Sequence, residues 1–77
     1  MASYTAGRFE LSKITLTARE LQIVKLLADG KQASEIACEM GLTANTVNGY
    51  KRDIMRYVGI HTAAGLVGAA FRQGWIE

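Results

Sequence analysis

Apolar side chains recur every three or four positions over most of this chain, the spacing that turns one face of an α-helix toward a core. Leu21, Val24, Leu27 and Ala28 form the first such stripe, and Gly30 follows it as a stop. Thr17 with Glu20 three residues later predicts a capping box, in which hydroxyl and carboxylate each accept one orphan backbone N–H. Leu16 and Leu21 stand where a hydrophobic staple forms. Ile36, Ala37 and Met40 share one face of a second helix, predicted from Ala33 to Met40. Gly41 ends it, Leu42 plugs back against it, and Thr43 is the N-cap of a third helix reaching about Val58. Val47, Tyr50, Ile54 and Val58 are the inward stripe of that helix, and Gly59 closes it. A fourth starts after Thr62 and runs to about Gln73, with Ala63, Leu66, Val67 and Ala70 as its core stripe. Gly74 stops it, and Trp75 and Ile76 fold back as a short apolar tail. No proline occurs and the loops are short, so the expected fold is all-α, a compact domain of four helices over residues 16–77. Residues 1–15 read as an N-terminal arm, flexible to about residue 9, with Phe9, Leu11 and Ile14 covering one edge of the core.

The stretch Ala33–Arg52 organises the rest. Two helices joined through Gly41, Leu42 and Thr43, with small Ala37 letting them cross closely, follow the logic of a helix-turn-helix, whose second helix enters the DNA major groove. The third helix carries a second stripe opposite its apolar one: Asn45, Asn48, Gly49 and Arg52. Asn pairs bidentately with adenine and Arg with guanine. Lys51 and Arg56 lie beside this stripe, where phosphates would pass. Gly49 costs the helix up to about 1 kcal/mol relative to Ala. A DNA base edge or backbone that must come close would account for it, and a neutral, drifting position is the alternative.

Length and charge narrow the class. Seventy-seven residues make one domain, and a chain this short buries only about 60–65% of its unfolded surface, so a partner subunit would help. No apolar run approaches the ~20 residues of a membrane span, and the first residues lack the apolar core of a signal peptide. The expected location is cytoplasmic, with no membrane partner. The net charge is +2, nine Lys and Arg against seven Asp and Glu. The distribution matters more than the sum. Lys51, Arg52 and Arg56 cluster on the third helix with only Asp53 among them, whereas Glu20, Asp29, Glu35 and Glu39 lie earlier, a local basic stripe of the kind a groove reader carries. The single cysteine excludes an internal disulfide and any Cys-based zinc site, and Cys38 reads as an inert thiol more than a redox switch. His61 has no partner at metal-ligand spacing and reads as a surface or capping residue. Tyr50 and Tyr57 read as core-edge aromatics whose hydroxyls reach solvent or phosphate. No nucleophile–base set, glycine-rich phosphate loop or carboxylate pair can be assembled, so an enzyme is not expected, and no metal or cofactor either.

The residues Leu16-Thr17-Ala18-Arg19-Glu20, Val24, Leu27-Ala28-Asp29-Gly30, Glu35-Ile36-Ala37, Thr46-Val47, Ile54, Gly59-Ile60, Val67, Ala70 and Gly74-Trp75-Ile76 together resemble the LuxR-type helix-turn-helix domain of LuxR, FixJ and NarL regulators, also found alone in short GerE-like proteins. The resemblance covers Leu16 to Ile76. It implies a four-helix domain that binds double-stranded DNA as a homodimer through its third helix, with the last helix as the dimer contact. Carried over, it puts Asn45, Asn48, Gly49 and Arg52 against bases. It puts Gln32, Ser34, Thr43 and Thr46, near the starts of the second and third helices, against the DNA backbone. The family usually has Lys at Asn48, His at Tyr50, Arg at Ala63 and Ser-Asn at Gln32-Ala33, so this chain has less positive charge and lacks one typical phosphate contact. No receiver or autoinducer-binding domain is expected within these residues.

Two functions are therefore weighed. One is a small transcriptional regulator that binds DNA as a homodimer. The other is an antiactivator, a protein-interaction module that forms inactive complexes with full-length LuxR-type regulators; the low net charge and the missing Lys at Asn48 favour it. On the fourth helix Ala64, Gly68 and Phe71 fall on a face separate from the core stripe, apolar although closing the domain does not require it. That face is the expected dimer interface; if Phe71 instead folds inward with Trp75, the chain is a monomer.

Overall fold

A computed structural model describes residues 14–77. Among these residues the chain forms four helices and no strand: α1 (Ala18–Ala28), α2 (Ala33–Met40), α3 (Ala44–Val58) and α4 (Ala63–Gln73). No single one of them is long and apolar enough to cross a membrane. Most of the expected arm over residues 1–15, including Phe9 and Leu11, lies outside the described residues; Ile14 packs against the core.

Local chemistry sets the helix ends. The Thr17 hydroxyl accepts the Glu20 N–H at 3.1 Å, and Glu20 Oε1 accepts the Thr17 N–H at 2.8 Å, which completes the predicted capping box. Glu35 Oε1 likewise accepts the Gln32 N–H at 2.8 Å in front of α2. Thr43 caps α3 by accepting the Thr46 N–H at 3.2 Å, and Thr62 caps α4 by accepting the Gly65 N–H at 3.0 Å. Gly41 ends α2 at φ +70°, a left-handed conformation that strains any residue with a Cβ. Thr17→Ala is expected to lower stability by about 1 kcal/mol in thermal or urea unfolding without altering any binding preference, because the cap acts on the α1 terminus and carries none of the residues expected to face bases. A changed preference at unchanged stability would contradict that assignment.

The core is a single cluster built from every helix. Ile23, Val24, Ile36, Val47, Ile54 and Leu66 are completely buried, with Leu16, Ala37, Val58, Ala70 and Ile76 closing around them. Burial of these aliphatic side chains is the main source of stability in so short a chain. α2 packs most extensively against α3, which fixes the helix-turn-helix pair, while α1 touches all three other helices. That central place corrects the predicted α1 stripe. Ile23, absent from the expectation, is fully buried beside Val24, whereas Leu21, Leu27 and Ala28 are only partly covered. A helix with neighbours on several sides buries a wider arc than one apolar stripe. α4 is corrected in the same way. Leu66, Ala69 and Ala70 are its buried residues, while Ala63 and Val67 are half-exposed. The tail behaves as expected: the Trp75 N–H bonds the Ala70 carbonyl at 2.9 Å and Ile76 is buried.

Candidate nucleic-acid interface

α3 divides by helical spacing into an inward line and an exposed remainder. Val47, Ile54 and Val58 are buried, as expected, but Tyr50 is only half-buried and Tyr57 is 57% exposed. Tyr57 is therefore a surface aromatic, set on the outer side of α3 by its distance from the Val47–Ile54–Val58 line. Asn45, Asn48 and Arg52 are exposed, and Gly49 between them is half-exposed. Asn45, Asn48, Lys51, Arg52 and Met55 line an open groove of about 550 Å³. A second depression, about 280 Å³, joins Arg52, Met55 and Arg56 to Ile60 and His61 at the α3–α4 connection. Three of the four residues expected to face bases, Asn45, Asn48 and Arg52, thus share one groove, and two of the expected backbone contacts, Lys51 and Arg56, line it or the depression beside it.

The glycines on the helix surfaces separate by what a side chain would meet. A Cβ at Gly65 would lie 2.9 Å from Thr62 Oγ1 and 3.0 Å from Ile60 Cγ2, so Gly65 is required by the α4 cap itself. A Cβ at Gly49 would meet only Arg52 Nη2, at 3.9 Å, an ordinary contact. Nothing inside the described domain therefore requires glycine at the middle of the candidate surface.

The remaining expected contacts lie around this surface. Gln32, Ser34, Thr43 and Thr46 are all exposed. Thr43 Oγ1 and Thr46 Oγ1 share a hydrogen bond of 2.9 Å, which leaves one hydroxyl proton of the pair able to point outward. Arg56 reaches Asp53 Oδ1 at 3.8 Å, a loose and exposed ion pair that holds the guanidinium only weakly. Lys31 Nζ meets Glu39 Oε2 at 3.2 Å; this hydrogen bond and the Glu39 charge hold the ammonium above its ordinary range. On α4, Ala64 is exposed, Gly68 half-exposed and Phe71 50% exposed, so Phe71 does not fold inward. Cys38 is exposed, as its place on α2 predicts.

Residues 14–70 of the chain match the model of the luxR family of bacterial regulatory proteins. The chain belongs to that family. Among luxR-family relatives it is 46% identical over 59 residues to the HTH-type transcriptional activator RamA of Corynebacterium glutamicum, covering 77% of this chain and 21% of that protein. It is 39% identical over 59 residues to the uncharacterized response regulatory protein YgeK of Escherichia coli, covering 77% of this chain and 40% of that one. The transcriptional regulatory protein MctR of Rhizobium johnstonii is 34% identical over 70 residues, 91% of this chain and 33% of its own length. The chain thus spans between about a fifth and two fifths of the curated relatives it matches. No solved structure matches it. In this luxR-family domain the sequence expectation missed Met55 on the α3 surface, while His61, read as a surface or capping residue, is exposed at the α3–α4 connection beside it. Met55 gave no signal because an apolar residue on an amphipathic helix reads as core. It also missed Arg19, whose position depends on contact with a residue 31 positions away.

Proposed function

We propose that this chain binds double-stranded DNA as a homodimer and regulates transcription, with α3 as the recognition helix. The observation that carries the reading is the exposed surface of Asn45, Asn48, Gly49 and Arg52 on the second helix of a helix-turn-helix, with a glycine at its centre that no contact within the described domain demands. Asn45, Asn48 and Arg52 read base edges, and Gly49 lets the groove floor approach. Gln32, Ser34, Thr43, Thr46, Lys51 and Arg56 hold phosphates and set the register, which positions the helix without carrying sequence information. Ala64, Gly68 and Phe71 of α4 form the two-fold contact. The names of RamA and MctR, a transcriptional activator and a transcriptional regulatory protein, support the regulatory part of this reading.

The test is a pair of substitutions on adjacent residues. Arg52→Ala is expected to weaken binding to a selected operator by about 1–3 kcal/mol and to relax preference at one base pair, since a bidentate guanine contact is lost. Lys51→Ala is expected to weaken binding to all duplexes alike and to flatten the salt dependence, because only a phosphate contact is removed. Operator selection from random duplexes followed by binding titrations distinguishes them. Equal losses on specific and random DNA for both variants would remove Arg52 from base readout.

The exposed Phe71 also supports the second reading, in which the α4 face pairs with a longer luxR-family regulator and inactivates it. An electrophoretic shift at low salt separates the two. A homodimer on promoter DNA supports the first; no DNA binding together with a stable complex with a regulator supports the second.

A further inference from the structure

We infer that Arg19, from the first turn of α1, is a DNA-backbone residue held in place by Tyr50 of α3, and that the two side chains together grip one phosphate. The inference rests on the DNA-binding reading above and concerns how the helix is seated.

Three observations converge on it. Arg19 Nη1 donates a hydrogen bond to the Tyr50 hydroxyl at 3.3 Å, and the guanidinium carbon lies 5.9 Å from the centre of the Tyr50 ring. Both the hydrogen bond and the cation–ring attraction orient the guanidinium without neutralising it. Among the described residues no carboxylate pairs with Arg19, although the molecule does form such pairs at Lys31–Glu39 and Arg56–Asp53. The side chain is also exposed, so its full charge faces outward. Finally, a cation in the first turn of a helix is opposed by the partial positive charge of that terminus, so α1 itself gains nothing from Arg19.

The position on α3 supplies the ligand. Tyr50 lies one turn after Thr46 and so on the same flank of the helix, the side that also bears Thr43 at its start. Lys51 and Met55, again one turn apart, line the opposite flank. A helix lying in the major groove has a phosphate wall on each side. Lys51 serves one wall. The other flank of α3 carries neutral hydroxyls and Asp53, whose charge the loose ion pair with Arg56 offsets, so that flank brings no net positive charge of its own. Arg19 reaches over from α1 and supplies the missing charge there. The chemistry is complementary. The Tyr50 oxygen accepts from Arg19 and keeps its own proton to donate to a phosphate oxygen, while the planar guanidinium retains further N–H donors for the same group.

The experiment measures binding of the full chain to a labelled random duplex of roughly 20 base pairs between about 50 and 300 mM salt, where the slope of log affinity against log salt counts the phosphates neutralised. Arg19→Gln is expected to make that slope shallower by about 0.9 and to weaken binding roughly eight-fold near 0.1 M salt, with the melting temperature unchanged. Tyr50→Phe keeps the ring and is expected to weaken binding less, and in the double variant the combined loss should fall short of the two single losses added together, since the two act on one phosphate. Lys25→Gln, which removes an exposed charge from the last turn of α1, is expected to leave the slope as it was. An unchanged slope for Arg19→Gln, fully additive losses with Tyr50→Phe, or an equal change with Lys25→Gln would each overturn the inference while leaving DNA binding intact. A wild-type chain that binds no duplex at any salt would overturn the DNA-binding reading and this inference with it.

Discussion

A folded monomer that no longer holds a two-half-site operator is the expected product of Gly68→Glu. The α4 face of Ala64, Gly68 and Phe71 is presented outward, with half of Phe71 accessible. A Cβ at Gly68 would meet only the tip of the Arg72 side chain, Nη1 at 3.2 Å, which can swing away. The protomer therefore has room for a side chain there, and an ordinary residue in place of a helical glycine favours the helix by up to about 1 kcal/mol. A two-fold interface places each substituted residue near its own copy, so two carboxylates face one another where water is excluded. Like charges brought together in this way cost an association several kcal/mol. Once the pairing is lost, the two recognition helices are no longer held about 34 Å apart to match successive major grooves. Circular dichroism should show retained helix, sedimentation velocity a single protomer, and titration with a two-half-site duplex a loss of most affinity. A dimer that persists and binds normally would place the interface elsewhere than on α4.

Ile54→Ala is expected to destabilise the domain by about 2–5 kcal/mol. Ile54 has no accessible surface and sits on the inward line of α3, where the helix-turn-helix pair and α1 meet the core. Truncation leaves a void that the rest of the buried cluster can close only in part. Domains of this size commonly hold only about 3–5 kcal/mol from a single apolar core, so the loss is expected to leave much of the protein unfolded at 37 °C. Urea unfolding monitored by far-ultraviolet circular dichroism reads it directly. Ile54→Val, which removes one methylene and keeps the branched shape, should cost about 0.5–1.5 kcal/mol. A loss below 1 kcal/mol for the alanine variant would show that the centre of packing lies away from α3.

The helix ends were legible in the sequence because the chemistry that sets them is local. Thr17 with Glu20, Gly41, Thr43, Thr62 and Gly74 act on groups within a few positions, so spacing alone reveals them. The burial of Ile23 and Ala69 was not legible. Whether a residue at the edge of an apolar stripe is covered depends on which helices lie beside it, and α1 has neighbours on several sides. The polar line of α3 followed from periodicity. The distinction among Gly49, Gly65 and Gly68 did not, because it needs the distance from an absent Cβ to atoms of other segments. Arg19 and Tyr50 show the same limit: each reads locally as an ordinary surface cation and an edge aromatic, and only the fold makes them a pair.

The connection between α2 and α3 is three residues long and fastened at each of them. Gly41 holds its left-handed turn, the Leu42 N–H returns to the Ala37 carbonyl at 2.9 Å while its side chain packs on the core, and the Thr43 hydroxyl caps the next helix. A segment so tied has almost no backbone freedom left to surrender, so the two helices meet a ligand as one rigid wedge. The conformational entropy of ordering that turn is spent when the chain folds and is not charged again on association. Encounter then becomes a problem of orientation between preformed shapes, and the lifetime of the complex, more than the speed of its formation, is where sequence preference is written.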